Sequence, residues 1–222
     1  MNRSERRQGA VPVGRAEEQA RAQRRRTILY AVLIGLAVGA IVAVGIISNR
    51  LVPKTASDAP TFAKLSVEQQ APEFVVSTTA GPFDLNVARG KPTLLEIFAT
   101  WCPHCQREAA VMNGLSATYK GKANVLGVSG SPYAIDSTSP ESQADVMAFA
   151  GAFKVEYPIA YDGELDVAKK YLQGGFPTMV LIGANGKVLS IGSGEIPAAD
   201  LNKAIANALA GKPVSPNFGA KT

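Results

Sequence analysis

The hydrophobic pattern divides the chain into an N-terminal apolar segment and a later region where short apolar runs alternate with helical repeats. Residues 28–47 carry no charge and are almost wholly apolar. A helix of this length crosses a hydrocarbon core of about 30 Å. In the later region, period-two and continuous apolar runs predict strands at 73–78, 81–85, 93–99, 124–128, 178–182 and 187–191. Helical periodicity predicts helices at 103–119, 142–153, 164–171 and 198–209, and this order predicts an α/β domain with a mixed central sheet flanked by helices.

Charge orients the apolar segment. Residues 1–26 contain eight Arg and three Glu, which account for the net charge of +5, and Arg24–Arg26 directly precede the apolar run. The positive-inside rule then predicts a basic cytoplasmic tail (1–26), a transmembrane helix (27–48), a linker (49–67), an extracytoplasmic domain (68–210) and a flexible tail (211–222). A cleavable signal peptide has a shorter apolar core and a small-residue cleavage site, so an uncleaved anchor held in membrane lipid is favoured.

The basic excess does not predict nucleic-acid binding. Outside residues 1–26 the 15 basic side chains are balanced by 15 acidic ones. No basic face interleaved with aromatic residues occurs in the body of the chain. We therefore expect no nucleic-acid partner.

The candidate chemistry is concentrated in Trp101-Cys102-Pro103-His104-Cys105, which holds both cysteines and the one histidine of the chain. Two thiols three positions apart, at the first turn of a helix, can form a small reversible disulfide. Cys102 would lie at the helix N-terminus, where the helix dipole stabilises the thiolate that attacks a disulfide. Pro103 suits the first helical position, and Cys105, one turn further, would be the buried resolving thiol.

Two polar residues near this motif have more than one interpretation. Glu96 lies among Leu94, Leu95, Ile97 and Phe98, where burial of a carboxylate is costly. It either works from within the core or reaches solvent at a strand edge. His104 either faces solvent or, when partly charged, stabilises the Cys102 thiolate and makes the disulfide more oxidising.

The combination of motifs resembles the thioredoxin fold and, more narrowly, the membrane-anchored TlpA/ResA group. The similarity extends over about residues 70–210 and rests on sequence matches at 71–74, 90–92, 98–102 and 185–188, and on Gly175-Phe176-Pro177-Thr178 before a hairpin. The resemblance implies that Glu96 exchanges a proton with Cys105 and that Pro177 is cis. It also implies a surface that binds substrate cysteines, with contributions from Trp101, Pro103, Phe176, Pro177 and Thr178.

The direction of electron flow has two readings. The Pro103-His104 dipeptide resembles the one in DsbA-like oxidases, whereas the scaffold resembles the TlpA/ResA-like reductants. Because the dipeptide acts on the thiolate itself, we expect an oxidase of cysteine-containing exported proteins, reoxidised by a quinone-linked membrane oxidase. The alternative is a reductant, fed by a membrane electron carrier, for apocytochrome c or other exported thiols. Neither reading requires a cofactor.

Other classes are weaker matches to the sequence. A structural zinc site needs four ligands, and Cys102, His104 and Cys105 supply three, so no metal is expected. A peroxiredoxin-like peroxidase would carry Thr where this chain has Ala99. A non-catalytic domain would need neither both thiols nor Glu96.

Overall fold

The computed structural model describes residues 24, 25, 28, 29, 31–36, 39 and 62–219. The predicted basic tail, transmembrane helix and linker therefore lie largely outside the described residues. Those N-terminal residues that are described are helical, and their large apolar side chains are exposed. Within the described part of the chain, no helix is both long and apolar enough to cross a membrane.

Seven strands within residues 62–219 form one mixed sheet. In chain order they are β1 (Val75–Thr78), β2 (Gly81–Asp84), β3 (Thr93–Phe98), β4 (Asn124–Ser129), β5 (Ile159–Tyr161), β6 (Thr178–Ile182) and β7 (Val188–Ser193). Their spatial order is β2-β1-β5-β4-β3-β6-β7. The central strand β3 is parallel to β4 and antiparallel to β6, which in turn pairs with β7 as a hairpin. This is the predicted mixed sheet, with β5 as a strand that the sequence pattern did not reveal.

Four helices of the same described region flank the sheet: α1 (Pro103–Thr118), α2 (Gln143–Ala152), α3 (Ala168–Tyr171) and α4 (Ala198–Leu209). Helix α2 begins with a capping box, in which Ser142 and Asp145 each bond the other's backbone N–H. Helix α3 is shorter than the predicted 164–171, because Asp162 accepts hydrogen bonds from the backbone N–H groups of residues 166–168. Those bonds hold the preceding residues in a turn, with Leu165 at a φ of 57°.

The two faces of β3 pack into different halves of the core. Leu94 and Phe98 belong to the cluster that contains both cysteines and residues of α1, α2 and α4. Leu95 and Ile97 belong to the opposite cluster, with residues of α3. Because side chains alternate along a strand, Glu96 shares its face with Leu94 and Phe98. The sheet therefore directs this carboxyl group toward α1, the helix that carries the cysteine motif.

The packed region extends beyond both expected ends of the domain. Leu65 is buried, and Ala63 donates its backbone N–H to the carbonyl of Lys169. At the other end, Phe218 is buried in the core and its backbone N–H bonds the hydroxyl of Ser190. Residues 213–219, which were expected to belong to a flexible tail, lie against β7 and α4. Ile191 of β7 donates its backbone N–H to the carbonyl of Pro216 at 3.0 Å, and Val214 packs against the same core cluster as Phe218.

Candidate redox-active site

Cys102 lies at the N-cap of α1, directly after the loop that follows β3. Its backbone is extended (φ −79°, ψ 117°) and Pro103 begins the helix. The unpaired N–H groups of the first helical turn therefore point toward the Cys102 side of the helix. The sulfur contacts the carbonyl oxygen of Phe176 at 3.6 Å. Cys102 is 4% exposed, so its sulfur lies just beneath the surface.

Cys105 is one turn further along α1 and is fully buried. Burial raises the pKa of this thiol, and the nearby negative charge of Glu96 raises it further. Both cysteines are free thiols in this structure. Both cysteines are buried, but they occupy different positions: Cys102 caps the N-terminus of α1, and Cys105 lies in the core one turn further along.

Glu96 is fully buried beneath the motif, in the middle of β3. Its Oε2 accepts a hydrogen bond from the hydroxyl of Tyr157 at 2.8 Å, whereas its Oε1 has no hydrogen-bond partner among the described residues. Loss of hydration raises the pKa of Glu96 to about 8, and the charge of Glu108 adds to this, against the lowering effect of the Tyr157 bond. Glu96 therefore lies in the core, so the interpretation of a solvent-facing acid at a strand edge is wrong, and its role in proton exchange stays a prediction.

Glu108 is a second buried acid that the sequence interpretation missed. It is 3% exposed and follows Cys105 by three positions, which places it on the same face of α1. Burial raises its pKa to about 7, and the charge of Glu195 contributes. Its Oε1 also lacks a hydrogen-bond partner within the described region. The three-residue spacing from Cys105 was the one sequence signal that could have identified it.

His104 lies on the exposed side of the motif and is paired with an acid from a distant part of the chain. Its Nδ1 lies 2.7 Å from Oε1 of Glu195, and the His104 side chain is 57% exposed. Arg107 donates from Nε to the same oxygen at 2.8 Å, and its Nη2 also contacts that oxygen. The hydrogen bonds from Arg107, followed by the contact with His104, hold the pKa of Glu195 below its ordinary value. Glu195 had no local sequence signal, since it is a surface acid 91 positions from His104.

The Phe176–Pro177 peptide bond is cis, as the resemblance implied. Pro177 and Thr178 are buried, while Phe176 is partly exposed beside Cys102. The Thr178 hydroxyl accepts a hydrogen bond from the backbone N–H of Gln173 at 3.1 Å and lies 2.7 Å from the carbonyl of Gly175. The structure therefore places Thr178 inside the loop, holding it, while Phe176 borders the sulfur.

Trp101 directly precedes Cys102 in the loop that leads into α1. Its ring packs edge-on against Phe176, with centroids 5.8 Å apart, and both side chains are partly buried. The indole Nε1–H donates to the hydroxyl of Ser131 at 2.8 Å. Pro103, the remaining residue predicted for this surface, is exposed at the start of α1. Trp101 and Pro103 thus adjoin Cys102 along the chain, and Phe176, whose carbonyl oxygen contacts the sulfur, packs against Trp101.

Glu141 is a third buried acid near the motif that the sequence interpretation missed. Its Oε1 accepts a hydrogen bond from Thr100 at 2.8 Å, and its Oε2 accepts one from Ser129. Burial raises its pKa, partly offset by these two bonds. Thr100 directly precedes Trp101, so Glu141 fixes the loop that leads into the cysteine motif.

Proteins similar to this chain include thiol-disulfide oxidoreductases, which agrees with a redox-active pair of cysteines. The sequence model of the Redoxin family matches residues 66–208. The chain is 33% identical over 141 residues to the thiol-disulfide oxidoreductase ResA of Geobacillus thermodenitrificans, covering 63% of this chain and 76% of that protein. It is 31% identical over 137 residues to the thioredoxin-like protein YneN of Bacillus subtilis, covering 61% and 76%.

Solved structures show the same similarity. A Chlorobium tepidum protein that has been proposed to be the thiol:disulfide interchange protein DsbE superposes with a TM-score of 0.57 at 29% identity, covering 66% of this chain and 99% of that chain. The fold, the family match and the ResA relatives agree with one another. The chain belongs to the Redoxin family and is a thiol-disulfide oxidoreductase of the thioredoxin-like fold.

Proposed function

We propose that the protein reduces disulfides of exported, cysteine-containing polypeptides, with Cys102 as the nucleophile and Cys105 as the resolving thiol. The observation that carries this proposal is the pairing of a helix-capping Cys102 with a fully buried Cys105 above the buried acid Glu96. A structural disulfide would need neither the buried acid nor the difference in exposure between the two sulfurs.

In the first step the Cys102 thiolate attacks one sulfur of a client disulfide. A mixed disulfide forms between Cys102 and the client, and the other client sulfur leaves as a thiolate that takes a proton from solvent. The N-terminal end of α1 stabilises the attacking thiolate. Phe176, whose carbonyl oxygen contacts the sulfur, packs against Trp101, and the two rings provide an apolar border for the client chain.

In the second step Cys105 resolves the mixed disulfide. The buried thiol of Cys105 must lose a proton before it attacks the Cys102 sulfur. Because burial raises the pKa of this thiol, solvent hydroxide deprotonates it poorly. Glu96, with a pKa of about 8, accepts that proton when ionised, since an acid whose pKa lies near the working pH can transfer it in either direction. The second client thiolate leaves, the client has gained two electrons, and Cys102–Cys105 is now the disulfide.

The reductant direction replaces the oxidase expectation, which depended on His104. The imidazole Nδ1 contacts the Glu195 carboxylate and Nη2 of Arg107 on the exposed side of α1, so a negative charge lies beside the dipeptide. The ResA relatives and the DsbE-like structure support the reductant hypothesis, which is based on the similarity of the whole domain, rather than the oxidase hypothesis, which is based on the Pro103-His104 dipeptide. A membrane electron carrier would then return electrons to the pair.

We also propose that residues 27–48 anchor the protein and that the folded domain lies outside the cytoplasm. The apolar run of residues 28–47 and the arginines before it support this arrangement. Carbonate extraction of membranes should leave the full-length chain in the pellet, and deletion of residues 27–48 should release it. A full-length chain recovered in the supernatant would overturn the anchor.

Trapping of the mixed disulfide tests the proposed roles. Reduced Cys105→Ser should accumulate a mixed disulfide with a disulfide-bonded test peptide, joined through Cys102, because no resolving thiol remains. Reduced Cys102→Ser should form little adduct, and the wild type should release two peptide thiols for each protein oxidised. Equal trapping by both single variants would overturn the assignment of the nucleophile.

Equilibration with glutathione tests the direction. A reductant should be found mostly as its Cys102–Cys105 disulfide in a buffer where glutathione is mainly reduced but a measurable fraction is oxidised. A pair that stays fully reduced there would be an oxidant when oxidised, and this result would restore the oxidase reading.

A further inference from the structure

Three consecutive residues at the end of β7 contact both sides of the redox site. Ser193 donates from its hydroxyl to the carbonyl of Gly175 at 3.0 Å, and Gly194 donates its backbone N–H to the carbonyl of Pro177 at 2.8 Å. Glu195 follows directly and contacts the dipeptide between the cysteines through His104. The cis-proline loop thus fixes the backbone from which Glu195 reaches α1.

Gly194 makes this geometry possible. Its φ is 83°, a conformation that side-chain-bearing residues rarely adopt, and it turns the chain out of the sheet after Ser193. The turn points one N–H back at Pro177 and sends the next side chain across to α1. The backbone next to Glu195 is therefore fixed by the hydrogen bond between Gly194 and Pro177, although the Glu195 carboxylate is at the surface.

Glu195 lies between basic side chains on the exposed side of α1 and a buried acid on its inner side. The side chains of His104 and Arg107 both contact its Oε1. On the inner side of α1, the negative charge of Glu195 contributes to the raised pKa of the buried Glu108. Without Glu195, the first turn of α1 would present the arginine charge and any imidazolium charge uncompensated beside the thiolate-forming end of the helix. Such charge stabilises a thiolate and makes a disulfide more oxidising.

We propose that Glu195 is a positioning residue that holds His104 and Arg107 and offsets their charge at Cys102, which keeps the Cys102–Cys105 pair reducing. This inference rests on the proposed function, because it takes Cys102–Cys105 as the redox pair. It assigns a role to an acid that is distant from the motif in sequence, and it explains how an oxidase-like dipeptide can serve a reductant.

The test is the equilibrium of the oxidised protein with two molecules of reduced glutathione, which gives the dithiol protein and one oxidised glutathione. Glu195→Gln should raise this equilibrium constant about threefold to tenfold, and tenfold corresponds to about 30 mV for a two-electron couple. Glu195→Asp keeps the charge and should lie closer to the wild type. Glu73→Gln removes the same charge from a remote surface pair with Arg89 and should leave the constant unchanged.

Two further measurements separate a charge effect from a structural one. High salt should reduce the Glu195→Gln shift, because exposed charges are screened. The shift should also shrink in a His104→Ala background, since only the Arg107 charge then remains to be released. A shift that is independent of salt and of His104 would overturn the charge mechanism.

The failures of the two proposals are distinguishable. If wild type forms the Cys102–Cys105 disulfide with glutathione and Glu195→Gln changes the constant less than twofold or lowers it, the role of Glu195 is overturned and the redox pair stands. If wild type forms no such disulfide, the proposed function itself fails.

Discussion

Tyr157 donates its hydroxyl hydrogen bond to one oxygen of Glu96 at 2.8 Å and leaves the other oxygen without a partner in the described part of the chain. Only one of the two carboxyl oxygens therefore has a hydrogen-bond partner among the described residues. Glu96 is thus poised to carry a proton on the free oxygen, on the face of the sheet that packs against Cys105. This relationship makes the proton-transfer role of Glu96 testable.

Replacement of Glu96 with Gln should slow oxidation of the reduced protein by a test disulfide by about tenfold or more near neutral pH. In the wild type the resolution step should accelerate as pH rises toward about 8, because Glu96 becomes able to accept the Cys105 proton. The variant should lose this rise. Stopped-flow measurement of disulfide exchange between pH 6 and 9 would show it.

Glu164→Gln is the matched control for that experiment, since it neutralises an exposed carboxyl group far along the chain from the motif. Its rates should follow the wild type at every pH. Unchanged kinetics in Glu96→Gln would remove the proton role and leave Glu96 as a packing residue.

The same carboxyl group should make stability depend on pH. The pKa of Glu96 is about 8 in the folded protein against an ordinary value of 4.5, so the folded state binds more protons between these values than the unfolded state does. The free energy of unfolding should therefore fall as pH rises from about 4.5 to about 8 and then level off. The expected loss is on the order of a few kcal/mol.

Urea denaturation of the reduced protein at pH 5 and pH 8.5 would measure this loss. Glu96→Gln should show a smaller difference between the two pH values and greater stability than the wild type at pH 8.5. Part of the slope should remain, because burial also raises the pKa of Glu108 to about 7. An identical slope in variant and wild type would show that Glu96 ionises without cost.

Structural features that depend on a local sequence pattern could be predicted, whereas contacts between residues that are distant in the sequence could not. The continuous apolar run interrupted by Glu96 indicated β3 and an acid that is either buried or at a strand edge, and Pro103 indicated the start of α1. Tyr157 and Glu195 reach the site from remote loops, where an ordinary tyrosine and a surface acid give no signal. Strand β5, with three residues, was too short for its period to be recognised.

Alkylation should distinguish the two sulfurs. Cys102 is 4% exposed and caps α1, whereas Cys105 is fully buried and burial raises its pKa. Iodoacetamide should therefore modify Cys102 first. Both cysteines lie in the tryptic peptide of residues 90–107, so fragmentation of this peptide by tandem mass spectrometry would locate the adduct in the singly labelled protein. Preferential labelling of Cys105 would reverse the proposed roles of the two thiols.

Glu141 should support the loop that leads into the motif. Glu141→Ala removes the acceptors of both the Thr100 and the Ser129 hydroxyl and should lower the free energy of unfolding by about 1–3 kcal/mol. Glu141→Gln keeps one oxygen acceptor and should be intermediate. Urea denaturation at pH 7 would rank the three proteins.

Fluorescence separates this local effect from general destabilisation, because Trp101 is the only tryptophan of the chain. Its indole bonds Ser131, on the same loop that ends at Glu141, so release of Thr100 should expose the ring and shift its emission to longer wavelength under fully native conditions. Glu156→Gln, a change at an exposed acid of another loop, should leave the emission unchanged. If Glu141→Ala lowers stability but leaves the native Trp101 emission unaltered, Glu141 stabilises the fold without holding the redox loop.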